Sequence, residues 1–132
     1  MIRKLALTAA LLATPALADE PGGIGKPPPP PVTGEQVYRQ VCQSCHMADA
    51  KGGVGAGVIP GLARNPKLEA EAYPLYVIVN GRGAMPGFTD TLSAAQIANV
   101  TTYIRTSFGN KYRKPVTEAD VAPMVQGSHS DH

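Results

Sequence analysis

The sequence predicts a small all-α domain, and three observations carry that expectation. Two capping boxes, Thr33-Gly34-Glu35-Gln36 and Ser93-Ala94-Ala95-Gln96, each open a run of apolar residues at helical spacing. A third apolar segment, Pro74 to Asn80, has a proline in its first turn and a glycine, Gly81, just past its end. No segment shows the strict alternation of apolar and polar residues that a half-buried strand requires, and no internal repeat is visible.

From the N-terminus, residues 1–18 read as a secretory signal. Arg3 and Lys4 supply the positive end, Leu5 to Leu17 the apolar stretch, and Ala16-Leu17-Ala18 the cleavage site. The apolar stretch is shorter than the ~20 residues of a spanning helix and holds Pro15 near its end, so a membrane anchor fits less well. Export with Asp19 as first mature residue is expected, which places the protein in the periplasm with no transmembrane segment after cleavage. Residues 19–32 form a linker in which Pro27 to Pro31 favours a stiff polyproline II spacer. Residues 33–126 hold the domain, and residues 127–132 a polar tail.

Cleavage also changes the charge. Losing Arg3 and Lys4 takes Lys+Arg from 12 to 10, equal to the 10 Asp+Glu, so the mature chain is formally neutral. No basic stripe for nucleic acid and no polybasic membrane patch stands out along the chain. A partner is expected to meet a small apolar or mixed surface with little long-range steering.

The first helix starts at Thr33, and its apolar stripe of Val37, Tyr38 and Val41 runs directly into Cys42-Gln43-Ser44-Cys45-His46. This is C-x-x-C-H, the attachment signature of a c-type haem. Two thiols at this spacing can each form a thioether to one of the porphyrin's two vinyl groups, and the adjacent His meets the iron as its proximal ligand. Cys42 and Cys45 are the chain's two cysteines, leaving none for a disulfide framework. A thioredoxin-like motif would need a βαβ setting that the flanks lack. A zinc site would need more ligands than this motif offers, and His129 and His132 sit in the tail.

Residues 51–61 contain Gly52, Gly53, Gly55, Gly57 and Gly61 but no phosphate-loop pattern, so they read as a loop whose backbone passes close to a flat ligand. The short helix from Pro74 to Asn80 follows, then a loop from Asn80 to Phe88. The third helix starts at Ser93, buries Ile97, Val100, Tyr103 and Ile104, and ends at Gly109. Haem iron with one His leaves a sixth position to fill. Met1 leaves with the signal and Met47 adjoins the proximal His, so Met85 and Met124 remain. Met85 is preferred, because Gly83-Ala84-Met85-Pro86-Gly87 lets the backbone approach the ring and stay fixed. A thioether ligand favours reduced iron and suits electron transfer.

In this order the motifs resemble class I cytochrome c over residues 34–108: helix with C-x-x-C-H, glycine loop with Ile59-Pro60-Gly61-Leu62, short helix, Gly-Ala-Met-Pro loop, aromatic C-terminal helix. The resemblance implies an all-α fold around one covalently attached haem, its first and last helices crossing through Gly34, Tyr38 and Tyr103. It also implies that the Pro60 carbonyl accepts the His46 N–H and fixes the imidazole. Asn80 to Phe88, Phe108-Gly109-Asn110 and Pro115-Val116-Thr117 are further similar to the terminal haem domain of cytochrome subunits in membrane-bound alcohol and gluconate dehydrogenases. Those subunits carry three haem motifs where this chain has one, and Phe108 stands where a Trp is expected.

The function expected is one-electron transfer by a His46/Met85-ligated haem c attached through Cys42 and Cys45, with no chemistry on a substrate. A dehydrogenase would be the donor and a terminal oxidase or another cytochrome the acceptor. The alternatives are a cytochrome subunit bound permanently to a dehydrogenase, and a haem peroxidase or ligand sensor, which would need an exchangeable sixth site.

Overall fold

The computed structural model describes residues 32–55 and 57–128 of the 132-residue chain. The expected signal peptide, the proline run and the tail from His129 onward lie outside the described residues. Four helices dominate. The first is one continuous run of three stretches: α-helical Gly34–Val37, π-helical Tyr38–Cys42 and α-helical Gln43–His46. Ala72–Asn80, Ala94–Thr106 and Glu118–Ser128 are the others. A 3₁₀ turn, Pro66–Leu68, lies between the first two.

Both capping boxes form. Thr33 Oγ1 accepts from Gln36 N–H (3.2 Å) while Gln36 Oε1 accepts from Thr33 N–H (3.0 Å), and Ser93 and Gln96 repeat the exchange at 3.2 and 2.8 Å. Each box satisfies two backbone donors that a helix start leaves open. The second helix begins at Ala72, two residues before the expected Pro74, because a proline anywhere in the first turn sacrifices no helical hydrogen bond. It ends at Asn80 with Gly81 as cap, as expected. The third helix stops at Thr106, short of Gly109, which serves the turn that follows.

Two elements depart from the sequence reading. The glycine loop folds into a minimal antiparallel hairpin, Gly53–Val54 on Val58–Ile59, too short for any alternation to register. Glu118–Ser128 is a helix that the sequence reading does not include, and it forms although Pro123 lies inside it. Its signals were there: Thr117 N–H and Oγ1 both donate to Asp120 Oδ2 at 2.8 Å, and Val121, Met124 and Val125 keep helical spacing. The helix packs on Ala72–Asn80 and Ala94–Thr106, with Val121 fully buried.

The core joins Val37 and Tyr38 to Leu75, Ile78 and Val79, and to Ile97, Val100 and Ile104. The first helix crosses Ala94–Thr106 at Gly34, as the sequence reading anticipated. A Cβ there would run into the Asn99 carbonyl and lie 2.7 Å from the Tyr103 Cβ, so only glycine lets the two backbones approach. Tyr38, Tyr103 and Phe108 lock the crossing as a three-ring cluster with centroids 4.8 to 5.8 Å apart. The crossing partner is the helix that carries Tyr103, as expected, and Glu118–Ser128 follows it in the chain.

Candidate haem site

The attachment motif sits where the first helix ends. Tyr38–Cys42 is wound as a π-helix, which adds a residue to the turn just before Cys42. Such insertions cost hydrogen-bond geometry and are found most often beside functional residues. Here the wider turn changes the angular register, so that Tyr38 faces Tyr103 and His46 also turns inward. His46 is buried, Cys42 half-buried and Cys45 exposed. Met47 then takes φ +68 and ends the helix, its carbonyl accepting from the buried Tyr38 hydroxyl at 2.7 Å. Burial above all, with Cys42 next, pushes the Tyr38 phenol up to about 12, so it remains a donor.

The histidine is oriented from the loop. His46 Nδ1 lies 3.0 Å from the Pro60 carbonyl oxygen. A carbonyl only accepts, so Nδ1 carries the proton and Nε2 keeps a bare lone pair. That is the tautomer of a metal-ligating imidazole held by a backbone carbonyl. Gly52 allows the approach. It adopts φ +70 and donates to the His46 carbonyl (3.2 Å), and a Cβ on it would lie 2.8 Å from the Pro60 backbone. Ala50 O accepts from Leu62 (2.7 Å) and Ala63 (2.9 Å), which clamps the far end of the same loop.

Cys42 and Cys45 form no disulfide with each other. Burial, then Cys45 beside it, pushes the Cys42 thiol up to about 11. A redox-exchange C-x-x-C needs the opposite, a thiol lowered towards neutrality so that it can attack. Among the described residues no group of three or more His, Cys, Asp and Glu could hold a metal ion, so the zinc reading gains no support. Two cysteines at the helix end, an imidazole oriented through Nδ1 and a loop brought close by glycine fit a covalently attached haem.

Met85 stands in a tight turn. Arg82 and Met85 exchange both backbone hydrogen bonds, at 2.9 and 3.1 Å, and Phe88 N–H donates to Ile78 O (2.9 Å), tying the loop to the second helix. The Met85 side chain is half-buried and packs against the core. Met124 also packs on the core, from the last helix. Beyond these predicted residues the site depends on Gly52 and on the π turn. The glycine cluster signalled the first, but nothing in the side-chain pattern signalled the second.

Residues 29–104 match the protein family described as cytochrome C oxidase, cbb3-type, subunit III. The chain belongs to the cytochrome c family. It is a single-haem class I cytochrome c, an electron-transfer protein with a covalently bound c-type haem. Over 106 residues the cytochrome is 40% identical to the cytochrome c subunit of a quinone-dependent alcohol dehydrogenase from Gluconacetobacter polyoxogenes, covering 70% of this chain and 22% of that one. It is 33% identical to a gluconate 2-dehydrogenase cytochrome c subunit from Pantoea cypripedii, covering 70% and 24%. It is likewise 33% identical to cytochrome c6 from Aphanizomenon flos-aquae over 91 residues, covering 63% of this chain and 97% of that one. The cytochrome thus spans less than a quarter of the two dehydrogenase subunits and nearly the whole of cytochrome c6. No helix among the described residues is long and apolar enough to cross a membrane.

Proposed function

We propose that the protein is an exported one-electron carrier of the periplasm, taking electrons from a dehydrogenase and passing them to a terminal oxidase or another cytochrome. In this reading Cys42 and Cys45 would hold the haem by thioethers, and His46 and Met85 would ligate its iron. The haem supplies the chemistry, a ferric/ferrous couple. The chain's own residues set its conditions. Pro60 O fixes the His46 ring, the Arg82–Met85 turn presents the thioether sulfur, and the surrounding core keeps water away. The observation that carries the reading is the 3.0 Å contact from His46 Nδ1 to Pro60 O, which orients the ring and leaves Nε2 available to a metal. The near-complete coverage of cytochrome c6 supports a free carrier, and the identity to two dehydrogenase subunits supports a dehydrogenase as donor or as permanent host.

The test is spectroscopic. One haem should stay with the mature polypeptide in denaturing gels, and Cys42→Ala with Cys45→Ala should abolish it. The ferric protein should show the weak near-infrared band of sulfur-to-iron charge transfer. Met85→Ala should remove that band and lower the potential, while Met124→Ala should leave both in place. Loss of the band in Met124→Ala instead would reassign the ligand. Ready binding of carbon monoxide by the ferrous wild type would point to an exchangeable site and a ligand sensor.

A further inference from the structure

Four cations outside the ion pairs of the described residues lie on two adjoining stretches of the fold. Arg64 and Lys67 lie on the stretch after Leu62, and Lys111 and Arg113 on the stretch after the third helix. The two stretches run side by side. Arg64 N–H donates to Phe108 O (3.1 Å), Asn65 N–H donates to Asn110 Oδ1 (2.9 Å), and Asn110 Nδ2 donates back to Leu62 O (2.8 Å). All four cationic side chains are exposed, and the ion pairs among the described residues include none of them. Nearby, Glu71 is taken by Lys114 and Arg105, which leaves Glu69 as the one other acid on these stretches.

A cavity of about 250 Å³ opens between the stretches, lined by Arg64, Pro66, Gly109, Asn110, Lys111 and Tyr112, with no acid in its wall. The Arg64 stem packs against Gly109 there. Its backbone sits at φ +47, and Gly109, at φ +81, leaves room for its stem, since a Cβ on Gly109 would lie 2.7 Å from Arg64 Cγ. A guanidinium on a packed stem loses less conformational freedom when it pairs with a carboxylate.

We propose that this basic corner anchors a carboxylate-rich face of a partner protein, through residues other than those that hold the haem. A projecting Asp or Glu would enter the notch between Arg64 and Lys111, with neighbouring acids meeting Lys67 and Arg113. An anionic membrane would draw on large exposed apolar side chains beside the cations. Those among the described residues, Val32, Met47, Val54, Val58, Tyr73 and Tyr76, all belong to other segments. Complementary charge of this kind orients a partner and speeds encounter more than it adds affinity. The proposal does not rest on the assignment of the haem ligands.

The experiment uses the haem-loaded protein and a fluorescent octaglutamate peptide, with binding read by anisotropy at low and physiological salt. The test variant is Arg64→Asn with Lys111→Gln, asparagine being chosen because it tolerates a positive φ. It should bind about tenfold more weakly and with a shallower salt dependence, the haem spectrum unchanged. Arg39→Gln with Lys51→Gln removes the same charge from cations already paired with Glu35 and Asp49, and should lose less than about threefold. A second variant, Lys67→Gln with Arg113→Gln, touches no side-chain hydrogen bond of the fold and should weaken binding in the same direction. Equal losses in test and control variants would reduce the effect to net charge and overturn the proposal. Tighter binding to phosphatidylserine vesicles than to the peptide would overturn it in favour of lipid. Competition by sub-millimolar inorganic phosphate would make the notch a small-anion site instead.

Discussion

Arg105 carries a full charge while only 2% exposed, and its surroundings explain how. Its Nε donates to Leu68 O (2.8 Å), Nη2 to Glu69 O (2.8 Å) and Nη1 to Lys114 O (2.6 Å), with Glu71 Oε2 3.8 Å away. Glu71 is in turn bonded by Lys114, which above all holds its carboxyl below the usual range, so the acid is ionised at neutral pH. One guanidinium thus joins the 3₁₀ turn, the start of the second helix and the segment before the last. Breaking such a buried charged network leaves carbonyls unpaired, so Arg105→Ala should cost about 3–5 kcal/mol in denaturant unfolding of the haem-loaded protein. Arg105→Lys should recover only part of that, because one ammonium cannot reproduce a planar fork spanning three carbonyls on two segments. Full recovery by lysine would show that the charge matters here and the fork does not.

Between elements, the decisive contact is the crossing of the first and third helices. Capping boxes start both, but neither box specifies where the helices meet. That point is set by Gly34, whose missing side chain lets the Asn99 carbonyl and Tyr103 close in, and by the three packed rings of Tyr38, Tyr103 and Phe108. Asn99 Nδ2 adds a bond to Val32 O at 2.9 Å, fastening the chain just before the cap. A methyl at position 34 meets backbone, which cannot rotate away as a side chain can. Gly34→Ala should therefore destabilise by about 1–3 kcal/mol despite alanine's better helix propensity, read as a lower unfolding midpoint with an unchanged slope. A neutral or stabilising result would mean that the helices slide apart at little cost. The last helix obeys the same logic from the other side: with a proline in its middle it depends on packing against its neighbours through Val121, Met124 and Val125.

At the scale of the molecule, the buried cluster is small, and many of its members, such as Ala50, Ala98 and Val121, contribute little area. Domains of this length bury a modest fraction of their surface and often need a staple or a cofactor. The haem would supply that missing core, held against His46 and the Met85 turn. Cys42→Ala with Cys45→Ala, produced without haem, should then lose cooperative thermal unfolding and much of its far-ultraviolet helical signal. Retention of a sharp transition would show that the helices and the Arg105 network suffice alone. Charge also becomes a question of the whole molecule. With the expected signal removed the chain would be neutral and promise little steering, yet the fold pairs Lys51 with Asp49, occupies Arg82 with the Tyr73 hydroxyl and sets Arg64, Lys67, Lys111 and Arg113 on two adjoining stretches.

Features that depend on local chemistry were legible along the chain. Two capping boxes placed two helix starts to the residue, Gly81 closed the short helix, and C-x-x-C-H named the cofactor through spacing that serves two thioethers and an axial imidazole. Family likeness added the Gly34 crossing and the Pro60 partner of His46, neither of which any single segment encodes. The rest came from packing between distant segments. The hairpin exists because Gly52 lets the loop fold back over His46, too few residues being paired for a period to show. The π turn arises where one helix must point Tyr38 at a neighbouring helix and His46 at a loop, a demand that side-chain spacing does not record. The last helix forms against a proline because burial of Val121 outweighs one lost hydrogen bond. The basic corner is a sum over residues some 45 positions apart, joined by hydrogen bonds from Asn65 and Asn110, and a linear count of charges cannot see it.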